Sequence, residues 1–237
     1  MPDTLFTHAV LTLWTRDNDY ALYDQHIVQQ VQREYFWETL RDFPVKTIVD
    51  VGAHIGAFTL YAKHVWQDAH IIAVEVEADN ARLLLKNTAE MPGVFAYHAC
   101  VGYTTDDKLL AKSRRNSGNH IVHHRGKLPT AEWVIGDYDT QAITAPVFTL
   151  ETLMQMQQFA SLDLLKLDCE GCESDILQHV SEAVLVKTRC IVGERHLPKD
   201  DFLQKIGGRL AQFDMHFADT AAPSLGHFLL MNKTHPG

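Results

Sequence analysis

Thr47-Ile48-Val49-Asp50-Val51-Gly52-Ala53-His54-Ile55-Gly56 is the stretch on which the fold turns. Ile48, Val49 and Val51 make a short β-branched run between Pro44 and Gly52, the pattern of a parallel strand covered on both faces. Just beyond, Phe58, Tyr61, Ala62 and Val65 recur at i, i+3, i+4 and i+7, which predicts a helix starting near Gly56. The two glycines therefore lie at a strand-to-helix turn. Such a turn lets a ligand approach bare backbone and presents free N–H groups at the helix start.

The dinucleotide fingerprint needs glycines in the order G-x-G-x-x-G, because a pyrophosphate lies against the second of them. Here the order is Asp50-x-Gly52-x-x-x-Gly56. A carboxylate two residues before the first glycine repels a pyrophosphate and favours a ligand carrying an ammonium and a sulfonium. S-adenosylmethionine is thus preferred to NAD. A second strand, Ile71 to Val76, carries Glu75 nineteen positions after Gly56. An acid about 20 residues on accepts hydrogen bonds from ribose hydroxyls in nucleoside-binding α/β folds.

With these residues in place, the chain resembles the FkbM family of S-adenosylmethionine-dependent methyltransferases. The likeness rests on Val49 to Gly56 and on Asp163-Leu164-Leu165-Lys166-Leu167-Asp168-Cys169-Glu170-Gly171-Cys172-Glu173, similar to that family's D-x-E-G-x-E block. Asn116-Ser117-Gly118 and Phe148 to Leu153 are similar to weaker family segments. The resemblance implies a Rossmann-like class I methyltransferase fold of the α/β class. The expected sheet is mostly parallel and twisted, with an antiparallel C-terminal edge hairpin and an N-terminal helical extension. Residues 1–44 are read as that extension, able to act as a lid, and 45–237 as the cofactor-binding domain.

Strand order along the chain supports this. Val94 to Cys100 predicts a strand whose end, Cys100-Val101, flanks the adenine by the rule that ligands sit at carboxyl ends of parallel strands. The expected cofactor set is Asp50, Gly52, Ala53, His54, Gly56, Glu75, Cys100, Val101, Ser117 and Asp168. Leu162 to Leu167 and Cys190 to Glu194 predict two further strands, and Met215 to Phe217 with His227 to Met231 an antiparallel hairpin. Upstream, Ile27, Val31, Tyr35 and Leu40 predict one amphipathic helix ended by Pro44. Between 103 and 146 the pattern is weak: short strands are expected at Lys108 to Lys112, His120 to His124 and Trp133 to Ile135. Arg114, Arg115 and Arg125 make this the most basic part of the chain.

A net charge of −9 opposes attraction to phosphate backbones, so nucleic acid is not an expected partner. No apolar window is long enough to span a membrane, and the N-terminus lacks a secretory pattern; a cytoplasmic protein acting on a small molecule is expected. Cys169 and Cys172 are expected to be buried thiols, since one C-x-x-C cannot complete a zinc site.

Methyl transfer is an in-line displacement that needs alignment and dryness, and an alcohol acceptor also needs a base or a metal ion. Asp168, Glu170, Glu194 and His196 all follow strands at the expected edge, with His120 a further candidate from the loop. His196 is the expected base because its unperturbed pKa lies near neutrality. Asp168, Glu194 and His196 are also able to hold a hard cation such as magnesium, although ordinary acid-base pairing is preferred and no dedicated metal site is assigned. The leading expectation is an O-methyltransferase acting on a hydroxyl of a small metabolite, sugar or polyketide-like intermediate. The alternative is a non-catalytic nucleotide-binding regulatory or interaction protein of the same fold.

Overall fold

A strand buried on both faces needs paired neighbours at both edges and cover on both sides, and Thr47–Val51 (β1) has both. The computed structural model describes residues 3–102, 108–114, 117–118, 120–124, 138–142 and 145–235. The central sheet continues with His70–Glu75 (β2), Val94–His98 (β3), Leu162–Leu167 (β4), Thr188–Arg195 (β5), Phe213–Asp219 (β6) and Gly226–Asn232 (β7). Their order is β3-β2-β1-β4-β5-β7-β6. The first five are parallel, with Val49 opposite both Ile72 and Leu165. β7 runs antiparallel to β5, and β6 antiparallel to β7, as the closing hairpin.

Successive side chains on a strand point to opposite faces, and β1 divides its apolar residues accordingly. Val49 and Val51 join a core with Leu165, Leu167, Leu177 and Phe202. Ile48 joins a second core with Leu164, Phe58, Tyr61 and the N-terminal Leu11, Leu13, Val28 and Leu40. The extension thus shares a core with the sheet.

The N-terminal segment differs from its expected form. It begins with an antiparallel hairpin, Asp3–His8 with Leu11–Arg16, followed by the helix Ala21–Gln30. The single helix expected to run through Leu40 stops at Gln30. Tyr35 and Phe36 take left-handed φ values of +61° and +57°, and Trp37 folds back so that its Nε1 donates to the Val31 carbonyl at 2.6 Å. A short helix, Trp37–Leu40, follows. The apolar spacing here serves a loop wrapped on an indole rather than one continuous helix face.

Cys100–Val101 leaves the main sheet to pair in parallel with Val147–Phe148. Lys108–Ser113 lies between Ile121–His124 and Tyr138–Ala142 in a separate antiparallel sheet. The strand expected at Trp133 to Ile135, with Arg115, Asn116 and Arg125, lies outside the described residues. Among the described residues, no helix is long and apolar enough to cross a membrane.

Candidate active site

The carboxyl ends of β1, β2 and β4 open on a cavity of about 340 Å³, within the range of small-molecule sites. Gly52, Ala53, His54, Glu75, Cys100, Val101, Ser117, Asp168, Glu170, Glu194 and His120 line it, together with Glu34 and Tyr35 from the N-terminal segment. Asp50, Gly56 and His196 do not.

Gly52 (φ +73°) is required where it stands: any Cβ would run into the carbonyl of Asp168. Gly56 (φ +97°) caps the helix Ala57–Val65 and packs against Leu84. The glycine turn is thus clamped between the β4 end and the next helix, with its backbone presented to the cavity.

Glu75 is buried at the tip of β2. Its Oε2 accepts from the His54 N–H at 2.9 Å and its Oε1 from the Glu77 N–H at 2.8 Å. Burial pushes its pKa up to about 7 against the opposing pull of those two bonds. A carboxyl has about four acceptor positions, so two remain for ligand hydroxyls.

Asp50 does not line the cavity. It is fully buried below the turn, accepting from Thr59 Oγ1 at 2.6 Å and lying 3.1 Å from Lys166 Nζ. Lys166 also donates to the Gly52 carbonyl at 2.6 Å and approaches Asp168 at 3.8 Å. Burial pulls Lys166 down, but Asp50 and Asp168 outweigh it and hold the pKa above the usual lysine value. The negative charge of Asp50 is therefore spent on an internal ammonium, not offered to a ligand. Asp168 faces the cavity in its place. Burial pushes the Asp168 carboxyl up, yet Lys166 and His196 overcome this and hold it below the ordinary Asp range. Tyr35, its own pKa raised well above normal by burial and by Asp168, donates its hydroxyl to Asp168 Oδ2 at 2.5 Å.

His196 does not line the cavity. Its Nδ1 lies 3.1 Å from Glu173, and its Nε2 lies 3.1 Å from Glu170 and 3.4 Å from Glu194. Burial pulls its pKa down, but Glu170 and Glu173 raise it well above the free value. His196 stands behind the cavity wall, between Glu170, Glu173 and Glu194. Glu170 lies near neutrality: burial pushes it up to about 7 although His196 pulls the other way. Glu34 reaches about 7 by burial and by its neighbours Asp168 and Glu194. Asp168, Glu173 and His196 also come close enough for one cation among the described residues. Asp168 and His196 stand in that group with Glu173 rather than with Glu194.

Glu170 and Gly171 turn the chain with φ values of +57° and +103°, bringing the Cα atoms of Cys169 and Cys172 to 5.6 Å. That separation suits a disulfide, and the two sulfurs are bonded. The expectation of two thiols is therefore overturned: a turn with two left-handed residues closes the gap that a linear spacing leaves open. Alkylation of unfolded, unreduced protein should label Cys100 and Cys190 alone, and all four after reduction. Four labels without reductant would contradict the bridge.

Sequence reading missed Lys166, Glu34 and Tyr35 as parts of this site. The signal for Lys166 was present: a lysine following Leu164 and Leu165 inside the buried strand Leu162–Leu167 must be paired.

A parallel sheet with this order, an antiparallel closing hairpin and a cavity at the glycine-turn edge define the class I methyltransferase fold. The family model for the methyltransferase FkbM domain matches residues 50–226, and the chain belongs to that family. It is 25% identical over 226 residues to Methyltransferase 1 of Beauveria bassiana, covering 87% of this chain and 90% of that protein. It is also 25% identical over 221 residues to the AMB antimetabolite synthetase AmbE of Pseudomonas aeruginosa, covering 81% of this chain but only 10% of AmbE. Among solved structures, an O-methyltransferase from Bacillus cereus in complex with SAH aligns with a TM-score of 0.46 at 11% identity, over 82% of this chain and 78% of that one.

Proposed function

We propose that the chain transfers a methyl group from S-adenosylmethionine to a hydroxyl oxygen of a small acceptor such as a sugar or a polyketide-like metabolite. The observation that carries this is the meeting, on one cavity, of the glycine turn with Glu75 and of the acids Asp168, Glu170 and Glu194. The cofactor supplies an activated methyl on a sulfonium. The residues present fit it: Glu75 keeps free acceptor positions for a ribose diol, and Cys100, Val101 and Ser117 stand beside it for the nucleoside. The acid-rich wall suits a ligand with positive charge. On the acceptor side Glu170 takes the hydroxyl proton, since a base with a pKa near the working pH is the efficient one. His196 and Glu173 position Glu170 from behind. Residues 1–44 form the cover that keeps the reacting oxygen from water, with Tyr35 fixing Asp168.

Glu75→Ala should weaken S-adenosylhomocysteine binding by about 1.5 to 3 kcal/mol, the usual effect of losing hydrogen bonds to a charged group. Calorimetry on folded variant checks it. Unchanged affinity would remove Glu75 from the site.

A further inference from the structure

His54 lies within the glycine turn in a left-handed conformation (φ +51°) and is among the residues that line the cavity. It is more than nine-tenths buried, and its Nδ1 has no hydrogen-bond partner among the described residues. A buried polar atom left unpaired in this way asks for a ligand.

The proton positions around it follow from the chemistry of its neighbours. Asp24, fully buried, receives the Arg16 guanidinium through Nε at 3.0 Å and NH2 at 2.9 Å, and the Arg16 backbone N–H at 2.9 Å. Burial pushes Asp24 up, but these contacts hold it below the usual Asp range, so it is ionised and only accepts. Ser117 Oγ lies 2.8 Å from Asp24 Oδ1 and must spend its proton there. The same Oγ lies 3.0 Å from His54 Nε2, and with its hydrogen committed it can only accept. His54 Nε2 therefore carries the hydrogen. Burial, against the opposing pull of Asp24, lowers the ring's pKa to about 3, so it is neutral and Nδ1 bears a lone pair.

We propose that Arg16, Asp24 and Ser117 are positioning residues that lock His54 in its Nε2–H tautomer, so that Nδ1 accepts a hydrogen bond from a ribose hydroxyl of the cofactor. The ribose is the donor in reach because the His54 backbone N–H is itself bonded to Glu75, the acid expected to hold that diol. This rests on the methyltransferase reading and adds a second acceptor to its nucleoside site. Arg16 and Asp24 lie before residue 50, outside the span the family model matches. The N-terminal segment then sets the chemistry of the glycine turn as well as covering it. Asn80 ties the arrangement further, accepting from Arg16 at 2.6 Å and donating to the Ser117 carbonyl at 2.9 Å.

Histidine-selective ¹⁵N NMR of the wild-type protein tests the tautomer without any variant. His54 should show a protonated Nε2 and an unprotonated Nδ1 from pH 5 to 8, and S-adenosylhomocysteine should shift the Nδ1 resonance towards the hydrogen-bonded range. Ser117→Ala should lose the single-tautomer signature while remaining folded. In calorimetry, one of the 2′-deoxy and 3′-deoxy forms of S-adenosylhomocysteine should bind wild type about threefold to tenfold more weakly through loss of the His54 bond, and this penalty should shrink in His54→Phe. An Nδ1–H tautomer, a charged ring, or an Nδ1 resonance that does not respond to bound S-adenosylhomocysteine would overturn the proposal. Absence of any S-adenosylhomocysteine binding to wild type would instead remove the methyltransferase reading, and the donor assignment with it.

Discussion

Glu170→Gln should lower turnover by about 10²- to 10⁴-fold, the usual contribution of a general base, while S-adenosylhomocysteine still binds. The carboxyl lines the cavity on a left-handed turn that the Cys169–Cys172 bridge closes, and Glu173 receives the N–H groups of Cys169 and Gly171 from within that turn. Its position is therefore fixed by covalent and hydrogen-bonded contacts on both sides. The direction of the pH effect follows from its pKa of about 7, raised by burial. A base works only when ionised, so wild-type turnover should rise with pH through about 7 and level off above it. The variant should lack that limb. Full activity with an unaltered pH profile would exclude Glu170; a limb lost instead in Glu34→Gln would move the base to the N-terminal segment.

Lys166→Met should destabilise the fold by about 3 to 5 kcal/mol, because it leaves Asp50 buried and uncompensated beneath the glycine turn. Lys166 is nearly fully buried, and its ammonium serves Asp50, Asp168 and the Gly52 carbonyl together. Urea unfolding of the variant checks the loss. Removing both charges in Lys166→Met/Asp50→Leu should recover much of it, since a buried pair is worth little against apolar residues of similar volume. A single variant as stable as wild type would show that Asp50 does not depend on this lysine.

The parts of the fold that could be read from the sequence were those fixed by local pattern. β1, β2, β4 and β5 were visible as apolar runs, and the closing hairpin as two runs without room for a crossover helix. The glycine turn and Glu75 were visible because their spacing carries the ligand geometry. What escaped depended on contacts distant in sequence. The helix expected through Leu40 is stopped by Trp37 bonding back to Val31, and an i, i+4 pattern carries no trace of that. The pairing of Asp50 with Lys166 left no trace either, because the two lie more than a hundred residues apart. Of the carboxyl neighbours of His196, Glu194 is close in sequence, whereas Glu170 and Glu173 come from a separate segment and had no visible link to it.

Titration of wild-type protein with S-adenosylhomocysteine, with NAD in a parallel cell, tests the central claim most directly. The cavity should bind S-adenosylhomocysteine at one site with micromolar affinity, about 8 kcal/mol, and should give no saturable heat with NAD. Saturable NAD binding without any response to S-adenosylhomocysteine would contradict the account.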